Sequence, residues 1–306
     1  MPHSPPPSPV FEVLPRTNAD LEREALLGDG FRAALWRREW LQDVIYDQPE
    51  HHTLSFYLED GFDVFLQGQP AQRGAPGKLC LLPAGHHSHW HINGRIRFLH
   101  FYFTRQQFDQ LALRLLDQEP RTLELYQRIY MSDPILAQAC RHLTQLDWRD
   151  ANARLDANAI GHELMAYLLL NQTGKRQAPR VRGGLSPAQR RRALERIDDG
   201  LASELTIGML ADELALSEFH FARMFRASVG EAPHRWIMRR RLDRARSLLA
   251  QGQLPLETVA AESGFSHASH LIRRLRAELG IAPGAYRKWA CERQNLYNLV
   301  ETVNKV

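Results

Sequence analysis

The chain has 306 residues, more than a single hydrophobic core usually covers, and this length predicts two domains. Its hydrophobic fraction of 44% and charged fraction of 24% are ordinary for a globular protein, and no apolar run approaches the roughly 20 residues that cross a bilayer. The net charge is +4, but residues 181–306 hold 20 Lys and Arg against 14 Asp and Glu, so the positive excess lies in the C-terminal part.

The three cysteines, Cys80, Cys140 and Cys291, are far apart and odd in number. Their spacing excludes a disulfide framework and a Cys-x-x-Cys zinc site, and it is typical of reduced, buried thiols. Residues 1–9 lack the basic stretch and the apolar core of a signal peptide. We therefore expect a cytoplasmic protein that does not associate with membranes.

The N-terminal part of the chain has the pattern of short strands followed by helices. Between residues 30 and 104, apolar runs such as 52–58 and 96–103 are broken by Gly and Pro at regular intervals, which predicts a small β-barrel or jelly roll. Helical spacing of apolar residues follows at 134–147 and 154–170 and predicts an antiparallel helix pair.

A change of composition separates the two predicted domains. Residues 171–185 are rich in Gly, Pro and basic side chains without apolar periodicity, which predicts an interdomain linker. The N-terminal domain then covers residues 1–170, the C-terminal domain covers 186–290, and a tail without an assigned role covers 291–306. The predicted fold class is α+β, with an N-terminal barrel and helix pair and a C-terminal all-α domain.

The C-terminal domain contains an internal repeat. At an offset of 49 residues, three positions have the same residue in both copies: Ala211 and Ala260, Glu213 and Glu262, Ser217 and Ser266. After one inserted residue the offset is 50, and the matched pairs are Arg223 and Arg273, Arg226 and Arg276, Ala227 and Ala277, Gly230 and Gly280, Ala232 and Ala282, Pro233 and Pro283, Trp236 and Tyr286. One structural unit therefore occurs twice.

Each copy has the pattern of a helix-turn-helix unit. A short helix at 209–215 or 257–263 is followed by a turn of three to four residues and a second helix at about 217–228 or 267–278. The helix predicted at 234–250 would join the copies and span roughly 25 Å. That length is compatible with two second helices about 34 Å apart, which is one turn of DNA.

The apolar positions predict which face of each second helix is exposed. Phe221 with Phe225, and Leu271 with Leu275, are i, i+4 pairs that would face the core. The opposite faces carry the remaining side chains: Glu218, Phe219, Ala222, Arg223 and Arg226 in the first unit, and His267, Ala268, Ser269, Arg273 and Arg276 in the second.

This segment resembles the AraC/XylS family of bacterial transcription regulators. The resemblance covers about 100 C-terminal residues and rests on Ala211 to Arg287, above all on Gly264-Phe265, Ser266 to Arg273, Gly280, Pro283 and Tyr286-Arg287. It implies that the second helix of each unit enters a major groove of double-stranded DNA. The base-facing positions that it implies are Phe219, Ala222 and Arg223 in the first unit and Ala268, Ser269 and Arg273 in the second.

The side chains at these positions have distinct chemical roles. Arg223 and Arg273 are suited to donate to guanine O6 and N7, and Phe219 is suited to pack on a thymine methyl group. Three further arginines lie where they would contact phosphate, which fixes register without reading sequence: Arg226, Arg274 and Arg276.

The second unit departs from the family pattern. Leu275 stands where the family usually has Phe, and the small Ala268 and Ser269 stand where longer polar side chains often read bases. We therefore expect weaker sequence reading by the second unit.

The N-terminal domain is rich in histidine, with seven of the 14 at His51, His52, His86, His87, His89, His91 and His100. Residues 87, 89 and 91 would share one face of a strand, which is one geometry for a three-imidazole metal site. The segment from Gly77 to Asn93 resembles the second cupin motif with one extra residue before His89, but the first cupin motif is missing. We therefore predict no metal and no other cofactor.

The resemblance implies a cupin-like, ligand-sensing and dimerising N-terminal domain. It predicts a homodimeric, non-enzymatic regulator, an activator that works with RNA polymerase and responds to a small-molecule effector. The effector pocket is predicted at His52, Phe56, His87 and His89.

Three other functions remain open from the sequence. One is a constitutive regulator whose barrel only dimerises. Another is a cupin-type metalloenzyme with an accessory helical domain, against which the missing first motif argues. The third is a DNA-repair protein, against which the absence of a cysteine-rich cluster argues.

Overall fold

The structure is a computed structural model and describes residues 9–175 and 183–303. The chain forms two compact units. The first contains residues 1–112 and 122–177, and the second contains residues 113–121 and 178–306. Part of the predicted linker, residues 176–182, and the last three residues of the predicted tail lie outside the described residues. The preceding tail residues are helical up to Val303.

The first unit consists of strands with a few helices. Its strands are β1 (Asp20–Gly28), β2 (Phe31–Arg38), β3 (Gln42–Asp47), β4 (His51–Asp60), β5 (Val64–Leu66), β6 (Leu79–Leu82), β7 (His87–Ile92), β8 (Ile96–Thr104), β9 (Leu123–Leu125), β10 (Arg128–Met131) and β11 (Thr173–Lys175). Its helices are α1 (Pro9–Arg16), the first two turns of α2 (Arg105–Leu116), α3 (Pro134–Gln145) and α4 (Ala151–Asn171).

The strands form two main antiparallel sheets. The larger has the order β1-β2-β8-β4-β6-β10, and the smaller has the order β3-β7-β5. An apolar core with residues from both sheets lies between them, and it includes Trp36, Trp90 and Phe98. The larger sheet begins and ends at edge strands, so the two sheets do not form the closed barrel that the sequence predicted.

The middle strands of the larger sheet, β2, β8 and β4, are buried on both faces. Along β8, Phe98 and Tyr102 belong to the core between the sheets, whereas Leu99 and Phe101 are buried on the opposite face. Helix α4 packs near this opposite face, since a Cβ at Gly161 would lie close to the Phe101 ring. A strand covered on both faces is apolar almost throughout, which explains the unbroken run of residues 96–103.

The second unit is helical. Its helices are α5 (Pro187–Asp199), α6 (Ile207–Glu213), α7 (Glu218–Val229), α8 (Pro233–Ala250), α9 (Leu256–Glu262), α10 (Ala268–Leu279) and α11 (Pro283–Val303). Helix α5 begins at a capping box formed by Ser186 and Gln189. The α+β class with a C-terminal helix-turn-helix domain is confirmed, and no helix within the described ranges is long and apolar enough to traverse a bilayer.

Residues 113–121 belong to the second unit although they precede the last strands of the first. Leu113 is buried in the helical core. Arg190 is 2% exposed, and its guanidinium donates to Glu119 Oε2 at 3.2 Å and to the carbonyl of Asp117 at 3.0 Å. The sequence did not predict this contribution, because it depends on contacts between residues about 70 positions apart.

Candidate functional site

The two copies of the internal repeat form matching backbone hydrogen bonds. In the turn of the first unit Leu216 N donates to Ala211 O at 2.9 Å, and 49 residues later Phe265 N donates to Ala260 O at 2.8 Å. At the ends of the second helices, the amide nitrogens of the two matching glycines donate to matching carbonyls at the same distance of 2.9 Å, in the pairs Gly230 to Arg226 and Gly280 to Arg276. The two copies therefore fold alike.

Helix α7 has defined ends. The Ser217 hydroxyl accepts from His220 N and caps the N-terminus, and Gly230 ends the helix with a φ of 85°. Helix α10 ends in the same way at Gly280, with a φ of 73°. The N-cap residue of α10, His267, makes no capping hydrogen bond with its side chain.

The exposed and buried faces of both second helices agree with the apolar pattern. In α7, Phe221 and Phe225 have no exposed surface, and in α10 the same holds for Leu271 and Leu275. Phe219, in contrast, is 80% exposed. The other predicted DNA contacts are exposed, apart from the half-buried Ala222 and Ala268: Arg223, Arg226, Ser269, Arg273, Arg274 and Arg276.

The Phe219 ring is 80% exposed, whereas the Phe221 and Phe225 rings of the same helix are fully buried. Phe219 follows the N-cap by two residues, so it lies in the first turn of α7. The N-terminal residues of a helix that enters a groove are those that contact base edges. The Phe219 ring therefore lies outside the core of the second unit.

The arginines of the second unit fall into two groups. Several arginines of α5 and α8 form ion pairs, for example Arg192 with Glu213 at 3.0 Å and Arg240 with Asp198 at 2.8 Å. Within residues 183–303, no ion pair is made by the five predicted DNA contacts Arg223, Arg226, Arg273, Arg274 and Arg276. Their guanidinium groups are available to a ligand.

The pKa of His270 in α10 indicates the sign of the electrostatic potential at this helix. The pKa of His270 is lowered, first by partial burial and then by the charges of Arg273 and Arg274. The exposed face of α10 is therefore electropositive, which favours an anionic partner.

Helix α8 is attached to the rest of the unit along its length. Arg239 pairs with Glu231, and the Arg241 guanidinium donates to the carbonyl oxygens of Leu201 and Ser203 at 3.0 and 3.2 Å. Near its C-terminal end, Arg244 donates to the carbonyl of Glu262 in α9 at 2.7 Å. These contacts fix the helix that joins the two helix-turn-helix units.

The four residues predicted for an effector pocket are not brought together by the structure. His52 and Phe56, both 1% exposed, lie on the face of β4 opposite to Ser55 and Tyr57. His87 and His89 lie on the outer face of β7, where they contact Asp47 and Asp43.

A small cavity of about 40 Å³ lies instead between the two sheets of the first unit. It is lined by Tyr46, Ser55, Tyr57, Val64, Cys80, Leu82, Trp90, Ile92, Ile96, Phe98 and His100. The sequence pattern did not identify these residues as a cavity lining. It shows which residues share a face of a strand, but it does not show which face of the larger sheet turns towards the smaller sheet.

The histidines of β7 are paired with carboxylates. His91 Nδ1 lies 2.9 Å from Asp43 Oδ1, and His89 Nε2 lies 3.3 Å from Asp43 Oδ2. These two imidazoles lower the pKa of the Asp43 carboxyl, His91 more than His89. Among the described residues, no group of three or more His, Cys, Asp or Glu has the arrangement of a metal site.

Known proteins match parts of this chain. A family model described as a helix-turn-helix domain matches residues 210–288. The regulatory protein PocR of Salmonella typhimurium is 25% identical over 167 residues, which are 52% of this chain and 55% of that protein. A putative AraC-like transcription regulator of Streptomyces lividans is 34% identical over 87 residues, which are 28% of this chain and 29% of that protein. The chain thus spans about half or less of the length of these curated relatives.

Among solved structures, the DNA-binding domain of the global transcriptional factor AdpA, in complex with a target DNA, is also similar. The sequence identity is 27% and the TM-score is 0.34, and the alignment covers 35% of this chain and 96% of that domain.

Residues 210–288 are therefore a helix-turn-helix domain with two units. The domain is of the AraC type, so the resemblance to the AraC/XylS family inferred from the repeat is confirmed.

Proposed function

We propose that the protein is a sequence-specific transcription regulator that binds double-stranded DNA through α7 and α10. The observation that supports this most directly is the set of five exposed arginines on the outer faces of these two helices, none of which forms an ion pair with another described residue. Cations that are solvated and unpaired in the free protein are the groups that replace counter-ions on DNA.

Base recognition is assigned to the outer positions nearest the N-termini of the two helices. In α7 these are Phe219, Ala222 and Arg223, and in α10 they are Ala268, Ser269 and Arg273. Arg226, Arg274 and Arg276 lie further along and are assigned to phosphate. Helix α8 has 18 residues and is about 27 Å long, which suits two helices in adjacent major grooves.

The proposal extends to the whole chain. The protein acts as a homodimer, activates transcription together with RNA polymerase and responds to a small molecule bound by the first unit. An effector works only if its affinity differs between the active and inactive states of the regulator. No enzymatic activity is assigned, because the relatives named above are regulators.

Selection of bound sequences from a random duplex library tests the function. With the full-length protein at near-physiological salt, we expect enrichment of two short boxes about one helical turn apart. Salt-sensitive binding without any enriched sequence would contradict sequence-specific recognition.

A further inference from the structure

Residues 113–121, here called the strap, belong to the second unit, although the chain on both sides of them belongs to the first. The strap begins in the last turn of α2, and the earlier turns of α2 belong to the first unit. Successive turns of an α-helix are hydrogen-bonded to one another, so a displacement at one end of α2 is passed to the other. The strap is therefore a covalent route from the first unit to the second.

The strap binds α5 through two carboxylates. The buried guanidinium of Arg190 donates to Glu119 Oε2 at 3.2 Å, and its Nη2 lies 3.6 Å from Asp117 Oδ1. The neighbouring Arg191 donates from Nε to Asp117 Oδ2 at 3.0 Å. Among the described residues, both carboxylates that pair with Arg190 come from the strap. Because an unpaired charge in the interior is costly, the docked strap supplies what this arginine requires.

The strap also binds α8. Arg114 Nη1 lies 3.1 Å from Asp243 Oδ2 in the middle of this helix. Leu113 is buried in the same apolar core as Trp236, near the start of α8. One short segment thus contacts two helices that are far apart in sequence.

These two helices position the recognition helices α7 and α10. Arg192 and Arg196 of α5 pair with Glu213 of α6, at 3.0 and 3.4 Å, and α6 precedes α7 in the first helix-turn-helix unit. Helix α8 joins the first unit of the repeat to the second. The arrangement of α5 and α8 therefore sets where α7 and α10 lie relative to each other.

The strap is held at a few points rather than along a continuous surface. A cleft of about 480 Å³ is lined by Leu113 of the strap and by Leu194 and Trp236 of α5 and α8. The side chains of Arg191 and Asp117 are 59% and 49% exposed, and ion pairs at the surface stabilise only weakly. Docking of the strap is therefore weak enough to be reversible.

We propose that Asp117 and Glu119 are positioning residues for DNA binding. Through them the strap holds α5 and α8 in the arrangement in which α7 and α10 reach two boxes together, and release of the strap uncouples the two helix-turn-helix units. The docked state is the binding state, since it leaves the outer faces of α7 and α10 exposed. The regulatory role of the strap rests on the function proposed above, because the strap is the route by which an effector in the first unit alters DNA binding.

A double variant of the full-length protein tests the positioning role. Asp117→Asn with Glu119→Gln removes both carboxylates, and Glu124→Gln, at an exposed position of β9 outside the strap, is the matched control. We expect the double variant to lose about fivefold or more in affinity for a selected two-box duplex and less than about twofold for a single box. A role in stability alone would not separate the two duplexes. E124Q should bind both as the unaltered protein does.

Amide hydrogen exchange of the strap tests the same coupling from the other side. If docking favours DNA binding, DNA binding must favour docking by the same factor. The two-box duplex should therefore slow exchange in residues 113–121 of the unaltered protein by about fivefold or more, and a single box should slow it much less. Without DNA, the strap should exchange faster in the double variant than in E124Q. If the double variant does not fold, exchange in the unaltered protein with and without DNA decides alone.

Three results would overturn the proposal. They are equal losses of affinity on one-box and two-box duplexes, unchanged two-box affinity in the folded double variant, and strap exchange that DNA does not slow. A library selection without any enriched sequence would instead contradict the proposed function. A random duplex long enough for both units then replaces the selected one in the exchange measurement, and the same slowing or its absence decides on the strap.

Discussion

Arg223 and Arg226 lie one helical turn apart on α7, yet they are assigned to different parts of DNA. Both are exposed and lack ion pairs in the described structure, so exposure alone does not separate them. What separates them is their distance from the N-terminus of α7, at Glu218, because that end of a groove-bound helix reaches the bases. Each assignment has a measurable consequence.

Replacement of Arg223 by Ala should weaken specific binding by about 1–3 kcal/mol, because a two-point contact with guanine is lost. The preference at one base pair should relax, while affinity for random duplex changes much less. Titration of both duplexes at fixed salt measures the two effects. Equal losses on specific and random DNA would contradict the assignment.

Replacement of Arg226 by Ala should weaken binding to all duplexes alike. Binding with one phosphate contact fewer releases one counter-ion fewer from the DNA. The slope of log K against log salt should therefore fall in magnitude by about one. The measurement is binding at several salt concentrations. A changed base preference with an unchanged salt slope would assign Arg226 to base reading instead.

At the level of secondary structure elements, the turn before α10 depends on Gly264. Its φ is +79°, and an added Cβ would collide with the carbonyl oxygen of Leu201. Replacement by Ala should lower the free energy of unfolding by at least about 1–2 kcal/mol. Gly284, where nothing lies within 4 Å of an added Cβ, is the matched control and should tolerate Ala.

Denaturant unfolding of the two glycine variants measures this difference. If G264A were as stable as G284A, the turn would not require a left-handed residue, and the close approach of Leu201 to this position would be wrong.

The helices of the second unit were predictable because their signals are local. Ser186, Pro233, Gly230 and Gly280 begin or end helices, and the apolar pairs fix which face is buried. The predicted and observed bounds therefore agree within about two residues at most ends, as is usual for helix termini. The exposure of Arg223 and Arg273 follows from the same local pattern.

The strands were predictable as strands, but the cavity was not. Period-two alternation places His52 and Phe56 on one face of β4 and Ser55 and Tyr57 on the other. Which face lines a cavity depends on the packing of β3 and β7 across the core, and this is a long-range property.

At the scale of the whole molecule, the first unit contains buried neutral histidines. Burial, the largest cause in each case, lowers the pKa of His51 to about 4 and those of His52 and His100 to about 3. In the unfolded chain these imidazoles gain protons near pH 6.5. The unfolded state therefore binds more protons as the pH falls below about 6.5, and the free energy of unfolding decreases.

Each of these histidines should contribute up to about 1.4 kcal/mol per pH unit between pH 6 and the folded-state pKa. Unfolding curves at pH 7, 6 and 5 measure the slope. His52→Gln should reduce the slope, because it removes one of the buried imidazoles that gain a proton only on unfolding. Stability that is constant between pH 7 and 5 would contradict the neutral, buried state of these groups.

The central claim is that one chain places two recognition helices on one face of DNA. The most direct measurement is binding of the full-length protein to selected duplexes in which the spacing between the two boxes is changed. Insertion of about five base pairs, half a helical turn, should reduce specific affinity to nearly that of a single box, and insertion of about ten should restore part of it. Equal affinity at all spacings would contradict the claim, because it would mean that α7 and α10 do not read the two boxes together.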